Sequence, residues 1–136
     1  MNENELRGRT KQFGIRVIRA VRALPATAEG QVIGRQLLRA GTAVGANYRA
    51  ACRSRSRAEF CAKMGIVEEE ADEVGYWFEL IADIGLMDAK RLGPLWREAS
   101  EIVAIAAASR KSARRGGSVK KSGIANGGLR LAPCPD

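Results

Sequence analysis

The densest group of residues able to do chemistry is an acidic run at positions 68–73, Glu-Glu-Glu-Ala-Asp-Glu. On a helix, Glu69 and Glu73 share one face, and Glu68 and Asp72 share the next. Carboxylates in helical bundles bind metal pairs, but that design needs Glu-x-x-His motifs, and the sequence contains no histidine. A metal site made only of oxygen ligands stays open. The alternative is an acidic strip that pairs with Arg39, Arg49 or the arginines at 53–57 across an interface.

Other catalytic arrangements find little support in the residue types. Without histidine the chain lacks the commonest general base and the Ser-His and Cys-His nucleophile pairs. No glycine-rich phosphate loop is present, and the three cysteines (Cys52, Cys61 and Cys134) form no C-x-x-C pair, which favours reduced thiols. We therefore expect a protein that is not an enzyme and holds no metal or other cofactor.

Basic residues give the chain a net charge of +8. A balance of this sign favours nucleic acid or an acidic surface as partner, although a strip of arginines can also be a solvated face. The basic residues form a strip on the first helix, a run between the second and third helices, and a group near the C-terminus. The candidate nucleic-acid-binding residues are Arg9, Arg16, Arg19, Arg22, Arg53, Arg55, Arg57, Arg114, Arg115, Lys120 and Lys121.

Membrane insertion and export find no signal in the sequence. No apolar run approaches the roughly 20 residues that a transmembrane helix needs. The N-terminal residues lack the apolar segment of a secretory signal. We expect a cytoplasmic protein with no membrane partner.

The apolar periodicity predicts an all-α fold of four helices. We expect helices at about residues 10–24, from the Pro25–Gly30 connector to about 53, at 57–84 and at 88–110, with residues 1–10 frayed. From residue 111 the sequence becomes rich in Gly, Ser, Lys and Arg and loses its apolar periodicity. This predicts one helical domain at residues 1–110 and a disordered basic tail at residues 111–136.

The third helix carries the clearest pattern. Its apolar residues follow a heptad spacing over almost four heptads: Phe60, Met64, Val67, Ala71, Val74, Phe78 and Ile81, continued by Gly85. Trp77 and Leu80 widen this apolar face, which suggests that the helix contacts both its own core and a neighbouring subunit. Ser56 with Glu59 has the spacing of a capping box, Thr27 is a candidate cap for the second helix, and Gly85 is a candidate terminator.

Two glycines within the second helix indicate a close approach by another helix. Gly41 and Gly45 lie four residues apart on one face, next to Tyr48. Each glycine inside a helix costs about 0.5–1 kcal/mol relative to alanine, so their presence needs a packing reason. Asn47 is either buried and hydrogen-bonded or exposed to solvent.

Two ordered blocks resemble those of a known family. Residues 36–51 read QLLRAGTAVGANYRAA and residues 58–81 read AEFCAKMGIVEEEADEVGYWFELI. They are similar to the Gln-Leu-x-Arg-Ala-x-x-Ser-Val-x-x-Asn block and the later Lys-Glu-Ala-x-Glu and Tyr-Trp-Leu positions of the 23S rRNA intervening-sequence family. Ala43 replaces the frequent serine of the first block. The second block corresponds to residues 69–73 and 76–78 of this sequence. The resemblance covers about residues 12–110 and does not extend to the tail.

The resemblance implies an antiparallel up-down-up-down four-helix bundle that forms a homopentamer. The family is more distantly similar to the accessory variability proteins of retroelements, which are basic pentamers that associate with a reverse transcriptase and nucleic acid. It assigns no residue a catalytic role.

Two functions follow from the residues and the resemblance together. The first is a non-enzymatic homo-oligomer that binds RNA or DNA through its basic surface. The second is a protein-interaction scaffold, for example an accessory subunit to a polymerase or reverse transcriptase. The residues predicted to serve helix packing or oligomer contacts are Gly41, Gly45, Tyr48, Trp77 and Leu80.

Overall fold

The computed structural model describes residues 1–120, and side chains as far as residue 116. Within that part of the chain the secondary structure is entirely helical, as the sequence predicts. The four helices are α1 (Glu3–Arg22), α2 (Ala28–Cys52), α3 (Arg57–Asp83) and α4 (Ala89–Lys120).

Helix α1 begins seven residues earlier than the sequence pattern predicts. Asn2 caps it by accepting a hydrogen bond from the Glu5 backbone N–H at 2.8 Å, while the Glu5 carboxylate accepts from the Asn2 backbone N–H at 2.9 Å. This reciprocal capping box satisfies two backbone donors that a frayed end would leave to water. Leu6 and Thr10 are buried, and the Thr10 hydroxyl donates to the Leu6 carbonyl. The prediction that residues 1–10 are frayed is therefore wrong.

The helix ends in the middle of the chain follow the predicted capping residues. Thr27 and Ser56 side chains accept hydrogen bonds from the backbone N–H groups of Gly30 and Glu59, each at 3.0 Å. Gly85 follows the end of α3 with a φ of 71°, a left-handed conformation that favours glycine. These local signals fix three of the boundaries.

Helix α4 continues ten residues beyond the end predicted at Arg110. Ala113 packs against the core, and Arg110 donates a hydrogen bond to Glu68 on α3 at 2.6 Å, so the last turns still have tertiary contacts. Lysine and arginine are good helix formers and interact favourably with the C-terminal end of the helix dipole. The prediction that the fourth helix ends at Arg110 and that the disordered tail starts at residue 111 is therefore wrong for residues 111–120. The rest of the predicted tail, residues 121–136, lies outside the described residues.

One hydrophobic core runs between the four helices. The heptad positions of α3 from Phe60 to Ile81 are all buried. The apolar spacing of the second helix predicts core positions that are likewise buried: Ile33, Leu37, Ala40, Val44, Tyr48 and Ala51. On α4 the buried positions are Leu92, Leu95, Ala99, Ile102 and Ala106.

 The apolar spacing of the fourth helix predicts a core stripe of Leu92, Trp96, Ala99, Val103 and Ala106, with Leu95, Ile102 and Ile105 beside it. In the structure Leu95 and Ile102 are buried, whereas Trp96 and Val103 lie beside the buried stripe and are half-buried.

The close approach indicated by the glycines occurs between α1 and α2 of the same chain. A Cβ atom at Gly41 would lie 2.6 Å from Cγ1 of Val17, and one at Gly45 would lie 3.3 Å from the Thr10 carbonyl oxygen. Gly34 faces Val21 at 3.4 Å. Glycines on one face of α2 therefore let the backbone of α1 come close along most of its length.

Each helix contacts the next helix in the chain, and α4 also contacts α1. The α1–α2, α2–α3 and α3–α4 contacts are extensive, whereas the contact between α1 and α4 is much the smallest of the four. Helices α1 and α4 are therefore held in place mainly by their contacts with α2 and α3. The region where α1 lies beside α4 is called the α1–α4 seam.

Membrane insertion is not supported by the described helices. None of the four, over residues 1–120, combines the length and the hydropathy needed to cross a bilayer.

We predict that Gly41→Ala destabilises the protein by about 1–3 kcal/mol, because the added methyl group overlaps the fully buried Val17 side chain. Gly8→Ala is the matched control, since a Cβ atom there meets nothing within 4 Å. It is expected to be neutral or to stabilise by up to about 1 kcal/mol through helix propensity. Urea unfolding of both variants measures the difference, and equal stabilities would contradict the close approach.

Candidate nucleic-acid interface

Arg9 is held by ion pairs across the α1–α4 seam. Its Nε donates to Glu98 Oε2 at 2.6 Å and its Nη2 donates to Glu98 Oε1 at 2.9 Å, which makes a bidentate pair. A second carboxylate, Glu101, also accepts from Nη2. The hydrogen bond to Glu98 is the main cause that raises the pKa of Arg9 above its ordinary value. The charge of this guanidinium is therefore neutralised within the chain, and Arg9 is not available to an external anion.

Three other arginines converge further along the same seam. Arg16 and Arg19 come from α1, and Arg91 comes from the first turns of α4. None of the ion pairs or hydrogen bonds formed by side chains within residues 1–116 involves these three guanidinium groups. They are therefore available to an external anion.

These arginines line an open groove of about 260 Å³ whose remaining walls are apolar. The groove lies where α1 ends and α4 begins, so it uses the part of the seam that Arg9 does not close. Guanidinium groups present several N–H donors in a plane that matches phosphate and carboxylate oxygens. The apolar lining residues are Ala20, Ala23, Met87, Leu92, Pro94 and Leu95.

The other predicted basic residues lie outside this groove. Arg22 is exposed in the last turn of α1. Arg53, Arg55 and Arg57 are exposed around the α2–α3 connection, where Arg53 is the C-cap of α2 and Arg57 begins α3. On α4, Arg114 and Arg115 are exposed; Lys120 is its last residue, and Lys121 lies outside the described residues.

The acidic run on α3 forms ion pairs within the chain. Arg39 on α2 pairs with Glu70 at 3.2 Å and also with Glu73. Glu73 in addition accepts a hydrogen bond from Trp77 Nε1 at 3.0 Å. Burial acts to raise the pKa of Glu73, but the hydrogen bond from Trp77 and the pairing with Arg39 outweigh it, so this pKa lies below its ordinary value. Arg39, one of the predicted partners, therefore pairs with these acids. The pairing joins neighbouring helices of one chain.

The residues predicted for packing or oligomer contacts differ in exposure. Tyr48 is buried in the core beside the glycine face. Trp77 and Leu80 are half-buried against the core, so part of each side chain remains at the surface. Tyr76, which the sequence interpretation did not select, is 52% exposed and contacts the Trp77 ring edge-on, with centroids 5.0 Å apart.

Metal ligands do not gather in the described structure. Within the part of the chain with described side chains, no three acidic or cysteine side chains come close enough together to hold an ion. Cys52 and Cys61 are both free thiols, and Cys134 lies outside the described residues.

Sequence reasoning missed two features of the seam. Arg91 was not selected, because a lone arginine near the start of a helix carries no signal until α1 is known to lie beside it. The pairing of Arg9 with Glu98 joins residues that are 89 positions apart, and nothing local distinguishes Arg9 from Arg16 or Arg19.

Comparisons with known proteins were made for the sequence and for the fold. A crystal structure of a protein of unknown function from the S23 ribosomal protein family of Bacteroides thetaiotaomicron is similar to this chain, with 28% sequence identity and a TM-score of 0.73. The similarity covers 82% of this chain and 99% of that one. No curated protein sequence matches. The model of the 23S rRNA-intervening sequence protein family matches residues 2–108, which is most of the chain, and the protein therefore belongs to that family.

Proposed function

We propose that this protein is a non-enzymatic nucleic-acid-binding protein whose interface is centred on the α1–α4 groove. The observation that carries the proposal is the convergence of Arg16, Arg19 and Arg91, none of which has a carboxylate partner within residues 1–116. Unpaired cations on one face attract a polyanion and release its condensed counterions. Either RNA or DNA supplies the required phosphates.

The proposal selects among the many basic residues of the chain. Arg9 and Arg39 are both charged, but carboxylates neutralise them locally. Arg22 lies outside the groove, but it continues the basic surface of α1 because it is one turn beyond Arg19. The exposed arginines at 53, 55 and 57 are secondary contacts in this account, since they lie on a connection with no groove.

We also propose the antiparallel up-down-up-down arrangement and the homopentamer that the family resemblance implies. Contacts along the helices support the antiparallel order: α2 residues 34, 41 and 45 face α1 residues 21, 17 and 10, in reverse sequence. A ring would repeat the groove on each subunit. Several weak sites on one particle raise the overall affinity for a long polyanion without any new contact.

The test is a titration of the nuclease-treated protein with labelled structured RNA and duplex DNA over a salt series. We predict that the double variant Arg16→Gln, Arg19→Gln binds more weakly and shows a shallower salt dependence. Each lost phosphate contact lowers the slope by roughly 0.7 for single strands and 0.9 for duplex DNA. Circular dichroism checks that the variant remains folded.

Two control variants separate the groove from charge in general. Arg53→Gln with Arg55→Gln removes the same net charge and is expected to change affinity less. Arg9→Gln is expected to reduce the free energy of unfolding by about 1.5–3 kcal/mol, because it breaks hydrogen bonds to a charged group, while the salt slope stays the same. Absent binding at low salt, or equal losses in both double variants, would refute the proposed interface.

A protein-interaction scaffold is the second candidate, and the outer face of α3 favours it. Tyr76 is exposed there among the exposed carboxylates of Glu69, Asp72, Glu79 and Asp83. An aromatic side chain surrounded by acids is suited to a basic protein surface, which could belong to a polymerase-type partner or to another copy of this chain.

This surface has its own test. If copies of the chain associate through it, Tyr76→Ser should reduce the mass measured by light scattering while the helical content remains unchanged. An unchanged mass would exclude Tyr76 from the subunit contact and leave the surface to a different protein.

A further inference from the structure

The α1–α4 groove contains more than charge. Its three arginines line it together with apolar residues, among them Met87, Leu92 and Leu95, which we call the apolar floor. The phosphates of a regular duplex need only the cations, because paired bases are stacked inside the helix. An apolar floor between the cations therefore indicates a ligand that brings an apolar surface together with its phosphate.

The size of the groove restricts that ligand. At about 260 Å³ it is slightly smaller than the range of roughly 300–1,000 Å³ that is usual for small-molecule sites. A single nucleobase with its sugar and phosphate is a ligand of this scale, whereas a stacked base pair is not. Unpaired bases stack on the guanidinium planes of arginine side chains, and a base taken out of its stack also packs against apolar side chains.

We propose that the groove binds one unpaired nucleotide of a single-stranded nucleic acid. The base lies on the apolar floor, and the arginines at 16, 19 and 91 contact the flanking phosphates. This inference rests on the proposed function and narrows it, because it makes an unpaired segment the preferred substrate class.

The experiment compares three labelled ligands of equal length: a single strand, the same strand in a duplex, and an abasic strand that keeps the phosphates. Fluorescence anisotropy over a salt series gives the affinities and their salt dependence, and the three ligands are compared at equal salt. We expect the single strand to bind at least about five-fold more tightly than the abasic strand, since base stacking on a protein is worth about that factor or more. The affinity for the single strand should exceed the affinity for the duplex by a similar factor.

A variant that narrows the groove provides a second readout. Ala23 is exposed and lines the groove, so Ala23→Leu narrows the groove without altering its charge or disturbing the core. It should weaken single-strand binding at least about five-fold and leave abasic binding and the salt slope unchanged. Ala46→Leu is the matched control, because Ala46 is exposed on α2 and does not line the groove.

The outcomes separate this inference from the proposed function. Equal affinity for the three ligands, with a steep salt slope, would overturn the unpaired-nucleotide inference and leave the nucleic-acid proposal standing. Absent binding of all three at low salt would overturn both. An acidic peptide that displaces the single strand and binds more tightly would assign the groove to a protein partner and also overturn the inference.

Discussion

The close contact between α1 and α2 sets the arrangement of the other helices. Because residues 34, 41 and 45 are glycines, one face of α2 carries no side chains at these positions, and side chains and backbone of α1 come directly against the α2 backbone. The position of α1 is then determined by α2 more than by α4. The α1–α4 seam is much the smallest of the contacts that join each helix to its neighbour in the bundle, and an open groove lies in it.

The seam also determines what each arginine does. Arg9 meets Glu98 and Glu101 and ties α1 to α4, whereas Arg16 and Arg19, two and three turns further on, meet no carboxylate. Arginines on one helix are equivalent in a sequence, yet only those without partners contribute to an external field. Local neutralisation therefore reduces the basic strip predicted on α1 to a smaller and more specific surface, and Arg91 of α4 completes it.

Much of the fold could be predicted because its signals are local. The heptad pattern of α3, the caps at Thr27 and Ser56 and the terminating Gly85 depend on residues close together in the chain. The Asn2–Glu5 capping box is also a local signal, and it places the start of α1 before residue 10, where the apolar spacing alone does not. The groove could not be predicted, because it requires knowledge of which helices are neighbours. The length of α4 depended similarly on contacts with α3, which composition alone does not reveal.

Family membership establishes the relationship of this chain to proteins with the same helical fold, and the solved relative is itself of unknown function. We propose above all that nucleic acid occupies the α1–α4 groove. The most direct measurement is an NMR titration of the isotope-labelled protein with a short single strand, following every backbone amide. We expect the largest chemical-shift changes at residues 16–23 and 87–95. Changes confined to residues 53–57 or to the outer face of α3 would contradict it.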